Sequence, residues 1–107
     1  VVFCNNDDMA LGAIDTVRDS KSKVHPVIVG VDATESGLNA IKDGSMFGTV
    51  FNDAQGQAKA IFDLSYALAT GESPSVKLDI QNEHYIRIPY RAVTVSNADE
   101  ILSILKE

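Results

Sequence analysis

Three apolar runs of this 107-residue chain end in short, planar polar side chains. Val1 to Cys4 runs into Asn5, Asn6, Asp7 and Asp8; Pro26 to Val31 runs into Asp32; Met46 to Phe51 runs into Asn52 and Asp53. An ionised carboxylate accepts hydrogen bonds from two hydroxyls, and a carboxamide offers one acceptor oxygen and two N–H donors, so such groups suit a neutral ligand rich in O–H. A phosphorylated ligand would instead require glycine-rich turns and Lys or Arg at these ends, and they carry neither. Sugars are therefore the leading ligand class. Helix capping competes for the same residues, because Asn and Asp are ordinary N-caps where a strand hands over to a helix. One such residue per junction needs no further reason, and only the surplus is informative. At the first junction Asp7 or Asp8 is expected to cap the helix, which leaves Asn6 for a ligand.

Nothing else in the sequence forms a reactive set. His25 and His84 stand apart from each other and from Cys4, and read as surface residues. Ser36 and Ser65 lack the G-x-S-x-G setting of a nucleophile elbow. Asp7, Asp8, Asp15 and Asp19 do not follow the alternating spacing of a calcium loop, and the last two read as a solvated helix face. In "GVDATESG" the glycines are too far apart for a dinucleotide fingerprint. Phe47, Phe51, Phe62 and Tyr66 fit packing better than a stacking platform. With no acid/base pair and no metal spacing, an enzyme is not expected.

Composition narrows the class further. Hydrophobic residues make up 45% and charged residues 22%, as in an ordinary globular domain, and the length suits one small domain. A net charge of −6 without any basic cluster argues against nucleic acid as a partner. No apolar run is long enough to span a membrane. The single Cys4 cannot form an internal disulfide and reads as a small hydrophobe in a strand. The chain starts with Val in a strand, without an initiator Met or a signal peptide, as expected of a piece of something longer.

The elements that must position the polar ends follow from periodicity. Met9, Ala10, Ala13, Ile14 and Val17 recur at helical spacing after the first run. Thr34 is an N-cap candidate, Leu38 and Ile41 form a stripe behind it, and Gly44 suits a left-handed helix end. A longer helix follows Asp53, with Ala54, Ala58, Ile61, Leu64 or Ser65, and Leu68 on one side and Gly71 closing it. "GESPS" reads as a loop, and Ile80 to Tyr90 alternates as a half-exposed strand with Pro89 at an edge or crossing. Ser96 or Asn97 would cap a last helix carrying Ile101, Leu102, Ile104 and Leu105. Strand, helix, strand, helix, strand, helix with short connections predicts an α/β fold with a doubly wound, mostly parallel sheet. Ligands of such sheets bind beyond the carboxyl ends of the strands, where all three polar ends would meet.

The segments "NNDDMALGAIDTV", "VIVGVDATESGLNAIKDGSMFGTVFNDAQGQAKAIFDL" and "IRIPYRAV" together resemble the C-terminal part of bacterial periplasmic galactose/glucose-binding proteins, the sugar-binding components of ABC transporters. The resemblance runs from Val2 to about Val93; the loop "DSKSKVH" is one residue longer than in the best-known members. It implies an incomplete type I periplasmic-binding-protein lobe. Residues 1–52 and 89–107 would belong to the C-terminal lobe and 53–88 to the N-terminal lobe. It further implies that Asn6, Asp32 and Asn52 bind the monosaccharide, glucose or galactose. The aromatic residues that sandwich the sugar, and any calcium site, would lie upstream, so no cofactor is expected in this chain. The implied partners are an ABC transporter permease and a chemoreceptor, and the implied location is periplasmic or extracytoplasmic, with a lipid anchor as one variant. The alternative is the effector core of a lactose-repressor-type regulator. A fragment with one lobe's partner missing would bind sugar weakly, and the unpartnered helix after Asp53 would favour non-native self-association.

Overall fold

Parallel pairing of the first two apolar runs sets the architecture. β1 (Val2–Phe3) lies beside β2 (Ile28–Val29), with Val2 opposite Ile28 and Phe3 opposite Val29. β3 (Thr49–Phe51) runs antiparallel to β4 (Arg91–Val93), Thr49 opposite Val93 and Phe51 opposite Arg91. Parallel bridges between Val29 and Gly48 and between Asp32 and Phe51 join β2 to β3. Backbone hydrogen bonds carry this join along its length: Phe47 N–H to Ile28 O at 2.9 Å, Gly30 N–H to Gly48 O at 3.1 Å, and Asp32 N–H to Val50 O at 2.8 Å. The spatial order is thus β1, β2, β3, β4, with the first three strands parallel. This is the α/β arrangement with a mostly parallel sheet read from the sequence, built here as part of a lobe. The computed structural model describes residues 1–21, 23–74, 78–82 and 84–106.

The chain divides into two units by its contacts: Val1–Asn52 together with the stretch from Tyr90 onward, and Asp53–Pro89. In the first unit α1 (Asp7–Asp19) packs on α2 (Glu35–Lys42), and α2 packs on α4 (Ala98–Ile104). One core joins them to the sheet, made of Ala10, Ile14, Ile28, Leu38, Ile41, Met46, Phe51, Val93 and Ile101 among others, with Val2 and Cys4 packed against it. Alternation along the strands assigns the faces. Ile28, Thr49, Phe51 and Val93 point into this core, whereas Phe3, which points the other way, is 83% exposed. α4 has only seven residues, too few to be helical alone, so it depends on the complete burial of Ala98 and Ile101. The ion pairs Lys42 to Asp99 at 2.6 Å and Arg91 to Glu100 at 3.0 Å lie at its exposed rim and add little.

The helix ends follow their sequence signals. Thr34 caps α2, its hydroxyl accepting from Gly37 N–H at 3.1 Å. Gly44 follows it at φ 82°. In the second unit Asp53 caps α3 (Ala54–Thr70), and Gly71 ends it at φ 73°. The stripe expected to bury α3 is largely uncovered: Ala54, Ala58, Ile61 and Leu68 are exposed, as are Phe62 and Tyr66 beside it, and Ala67 alone among its described residues is buried. Asn97 stands at the start of α4 without capping it through its side chain. Its carboxamide instead accepts from Thr94 N–H at 2.9 Å and donates to Ala92 O at 3.1 Å, fixing the exit from β4.

The strand expected over Ile80 to Tyr90 does not form. Gln81 and Tyr85 pair across a tight turn, their backbones bonded in both directions, and Asn82 takes a left-handed φ of 50°. Alternation of polar and apolar residues gave the period of a strand but not a partner to pair with, and Pro89 brings no N–H to a ladder. Pairing starts only at Arg91. The expected position at Glu83 lies outside the described residues.

Burial separates the two units' aliphatic residues by their cost of removal. In this 107-residue chain Ile101→Ala, at 0% exposure, should destabilise by about 2–5 kcal/mol, whereas Ile61→Ala, at 66%, should stay within about 0.5 kcal/mol. Urea unfolding curves for the two variants check this contrast.

Candidate functional site

Asn6, Asp32 and Asn52 each come just after β1, β2 and β3, so all three stand at the carboxyl edge of the parallel sheet. Their local settings differ, and the differences revise the expected division of labour. Asn6, at φ −152° and ψ 171°, is the N-cap of α1, its Oδ1 accepting from Met9 N–H at 2.8 Å. Neither Asp7 nor Asp8 caps. Asp7 is already the first helical residue, so its side chain is carried inward, and Asp8 is exposed. Asn6 is therefore not the surplus residue of its junction. Its Oδ1 is committed to the helix, while its Nδ2 has no acceptor among the described residues and keeps two donors available.

At the other two ends capping is done by a neighbour. Thr34 serves α2 and Asp53 serves α3, the latter accepting from Gly56 N–H at 2.8 Å, so capping explains neither Asp32 nor Asn52. Asp32 is half-buried and lies at φ 105°, and Ala33 follows at φ 56°. Two consecutive non-glycine residues at positive φ cost of order 1–3 kcal/mol each and persist only where the surroundings enforce them. The carboxylate of Asp32 has no hydrogen-bond or ion-pair partner among the described residues. Asn52 is half-buried directly after β3.

The residue that enforces this edge is Asp7, at 0% exposure. Its Oδ2 accepts from Thr34 N–H at 2.8 Å and from the Thr34 hydroxyl at 3.2 Å, and its Oδ1 accepts from the Thr49 hydroxyl at 2.5 Å. Its own N–H donates to Val31 O at 2.8 Å. A side chain on the first turn of α1 thus ties the β1 end to the β2 end and to β3. A buried carboxylate without a cation is costly. Here it sits at the positive ends of two helices, as the first residue of α1 and beside the N-cap of α2, where backbone dipoles and three donors offset that cost. Room for it comes from glycine: a Cβ at Gly30 or Gly37 would overlap the Asp7 carboxylate.

Reading the sequence missed Asp7 because its type and place fitted a cap. The signal that would have found it is a pair of glycines where glycine is unfavourable, Gly30 at the end of a strand and Gly37 inside a helix, which marks a close approach by another group. His25 and His84 are exposed, as expected. A surface groove of about 420 Å³ lined by Ile14, Val17, Arg18, His25 and Phe47 lies at the opposite, amino edge of the sheet and includes none of the three polar ends. Among the described residues no cluster of His, Cys, Asp and Glu could hold a metal ion.

Residues 1–73 match the periplasmic binding protein domain family. The chain is 38% identical over 95% of its length to the D-galactose/methyl-galactoside binding periplasmic protein of Haemophilus influenzae, and 36% identical over 92% of its length to a putative rhizopine-binding protein of Rhizobium meliloti. It spans 30% of the length of each of these relatives. Among solved structures it is similar to an ABC transporter solute binding protein from Bacillus halodurans with bound myo-inositol, with a TM-score of 0.78 and 35% identity over 95% of this chain and 32% of that one.

The glycine slots make a sign-reversing pair. In an open helix position Gly→Ala stabilises by about 0.5–1 kcal/mol, and Gly12 of α1, with nothing near its Cβ direction, should follow that rule. Gly37→Ala, also helical, should destabilise by about 1–3 kcal/mol through overlap with Asp7. Equilibrium unfolding midpoints of the two variants give the signs directly.

Proposed function

The chain belongs to the periplasmic binding protein domain family, and from that membership we propose that it forms the sugar-binding edge of a solute-binding subunit of an ABC transporter. The observation that carries this reading is the set of planar polar side chains at three neighbouring strand ends, with the Asp32 carboxylate held on a strained turn and unused by the fold. In the proposed complex Asp32 accepts from two ring hydroxyls, Asn6 donates through Nδ2 to a third oxygen, and Asn52 adds its carboxamide from the next strand. Neutral hydroxyls match this arrangement, since the three polar ends offer acceptors and N–H donors, and the nearby Arg91 guanidinium, opposite Phe51, is paired with Glu100. Binding and release are the whole task, and no bond in the ligand is broken.

The ligand class is a cyclic polyol about the size of a pyranose. Galactose or glucose is the first choice, supported by the D-galactose/methyl-galactoside binding relative. The similar structure with bound myo-inositol supports recognition of ring hydroxyls rather than of a ring oxygen, and makes inositol the second choice. We assign the two contact units to the two lobes of such a protein, with Asn52 and Pro89 at the crossings, and place the protein in the periplasm, presenting its closed, sugar-loaded form to a permease. The repressor-core alternative has no counterpart among the relatives described above, all of which bind solutes for transport or in the periplasm, or carry a solute-binding name.

Asp32→Asn keeps a side chain that tolerates positive φ but removes the charge. In calorimetric titrations of the full-length protein carrying this chain, with D-galactose, D-glucose and myo-inositol as probes, it should weaken the preferred ligand about 10- to 100-fold, because a hydrogen bond to a charged group contributes about 1.5–3 kcal/mol. Unchanged affinity would remove Asp32 from the site.

A further inference from the structure

Asp7 is fully buried, and its carboxylate bonds to Thr34, two residues after Asp32, and to the Thr49 hydroxyl, which itself accepts from Ala33 N–H. We propose that Asp7 is a positioning residue for sugar recognition: acting through Thr34 and Thr49, it holds the left-handed turn that aims the Asp32 carboxylate. The inference rests on the reading of Asp32 as a sugar contact and adds to it the group that sets its direction.

The bonds form two short relays. In the first, Asp7 Oδ2 takes Thr34 N–H directly, at 2.8 Å. In the second, Asp7 Oδ1 takes the Thr49 hydroxyl proton at 2.5 Å, and the oxygen of that hydroxyl, oriented by the donation, accepts Ala33 N–H at 3.4 Å. Both amides after Asp32 are thereby drawn inward onto groups that Asp7 anchors. Thr34 shares its hydroxyl in the same way, donating to Asp7 and accepting from Gly37 N–H. The N–H of Asp32 itself is fixed from the other side by Val50 O at 2.8 Å. Drawing Ala33 and Thr34 inward from a strand held at Asp32 is what requires φ of 105° and 56° at residues 32 and 33. Ala33 is completely buried, so it cannot swing out to relieve the strain. Without Asp7 the Thr34 amide loses its acceptor and the Thr49 hydroxyl that receives the Ala33 amide loses its anchor, so the backbone relaxes toward negative φ and the Asp32 Cα–Cβ bond changes direction. An Asn at position 7 cannot substitute, because its N–H2 would face the donors that the second carboxylate oxygen now receives.

A residue that only stabilised the fold would lower the unfolding midpoint and leave affinity alone. The test is a double-mutant cycle on the full-length protein at a temperature where circular dichroism shows each variant folded, with D-galactose, D-glucose and myo-inositol as calorimetric probes. Asp7→Asn should weaken the best of these ligands at least 10-fold in the native background and less than 2-fold in the Asp32→Asn background. Thr49→Val, which cuts the relay to Ala33 without touching a charge, carries the test if Asp7→Asn does not fold; it should weaken binding about 3- to 10-fold, and Thr49→Ser should restore it. If the native protein binds a probe and Asp32→Asn loses it, yet Asp7→Asn and Thr49→Val bind like the native protein or lose equally in both backgrounds, the positioning role is overturned while the sugar-binding reading stands. If the native protein binds none of the three probes, that reading falls and this inference falls with it.

Discussion

One buried carboxylate fixes the carboxyl edge of this sheet. Taking the Asp7 carboxylate out of water without a cation costs several kcal/mol, and the cost is offset by donors from two elements and the dipole of a third. Thr34 supplies an amide and a hydroxyl from the start of α2, Thr49 supplies a hydroxyl from β3, and the first turn of α1 contributes its dipole. Each donor depends on the others, since a carboxylate that lost one of them would leave a polar group unsatisfied inside the core. The result is an interlocked arrangement, in which the end of β1, the start of α2, β3 and the turn at residues 32 and 33 all bear on one group. Gly30 and Gly37 are consequences of it, because any side chain there would occupy the carboxylate's own volume.

That constraint separates inward from outward polar groups along a single edge. Asp7 is used up by the fold, and Asp53 and Thr34 are used up by capping. Asn6 is half used, through its oxygen. Asp8 is exposed and Asp32 half-buried, and of these two Asp32 is the one held on a backbone that would relax if left alone. In the proposed site this arrangement suits neutral hydroxyls, whose geometry is demanding and whose charge is nil, because the turn that carries Asp32 is set before the ligand arrives. A charged ligand would be held by long, mobile Lys or Arg side chains that need no such preparation.

Much of the fold was legible in the sequence. The α/β alternation, the caps at Thr34 and Asp53 and the glycine ends at Gly44 and Gly71 all follow from local rules, and local rules suffice where an element's partner is its neighbour in sequence. Ile80 to Tyr90 misled because alternation reports a surface, not a pairing partner, and the turn at Asn82 was invisible to it. At the edge, the residue types carry the proposed ligand chemistry, but the assignment of Asp7 or Asp8 as cap and Asn6 as surplus was reversed. Asn, Asp and Thr are interchangeable to a capping rule, and only the three-dimensional register, with Asp7 at the first helical position and facing Thr34 and Thr49, decides among them. The stripe of Ala54, Ala58, Ile61 and Leu68 on α3 is likewise a pattern that sequence marks as buried and that this chain leaves uncovered.

Native-state hydrogen exchange at the amide of Thr34 tests the central role of Asp7 most directly. That N–H is bonded to a side chain rather than to a helix or ladder partner, and it stands in a connection between elements, where exchange is ordinarily fast. The expected result is protection equal to that of the slowest core amides, lost only when the first unit unfolds as a whole. Exchange of the Thr34 amide at the rate of an exposed loop, with the core still protected, would contradict the role of Asp7 as the joint of β1, β3 and the start of α2.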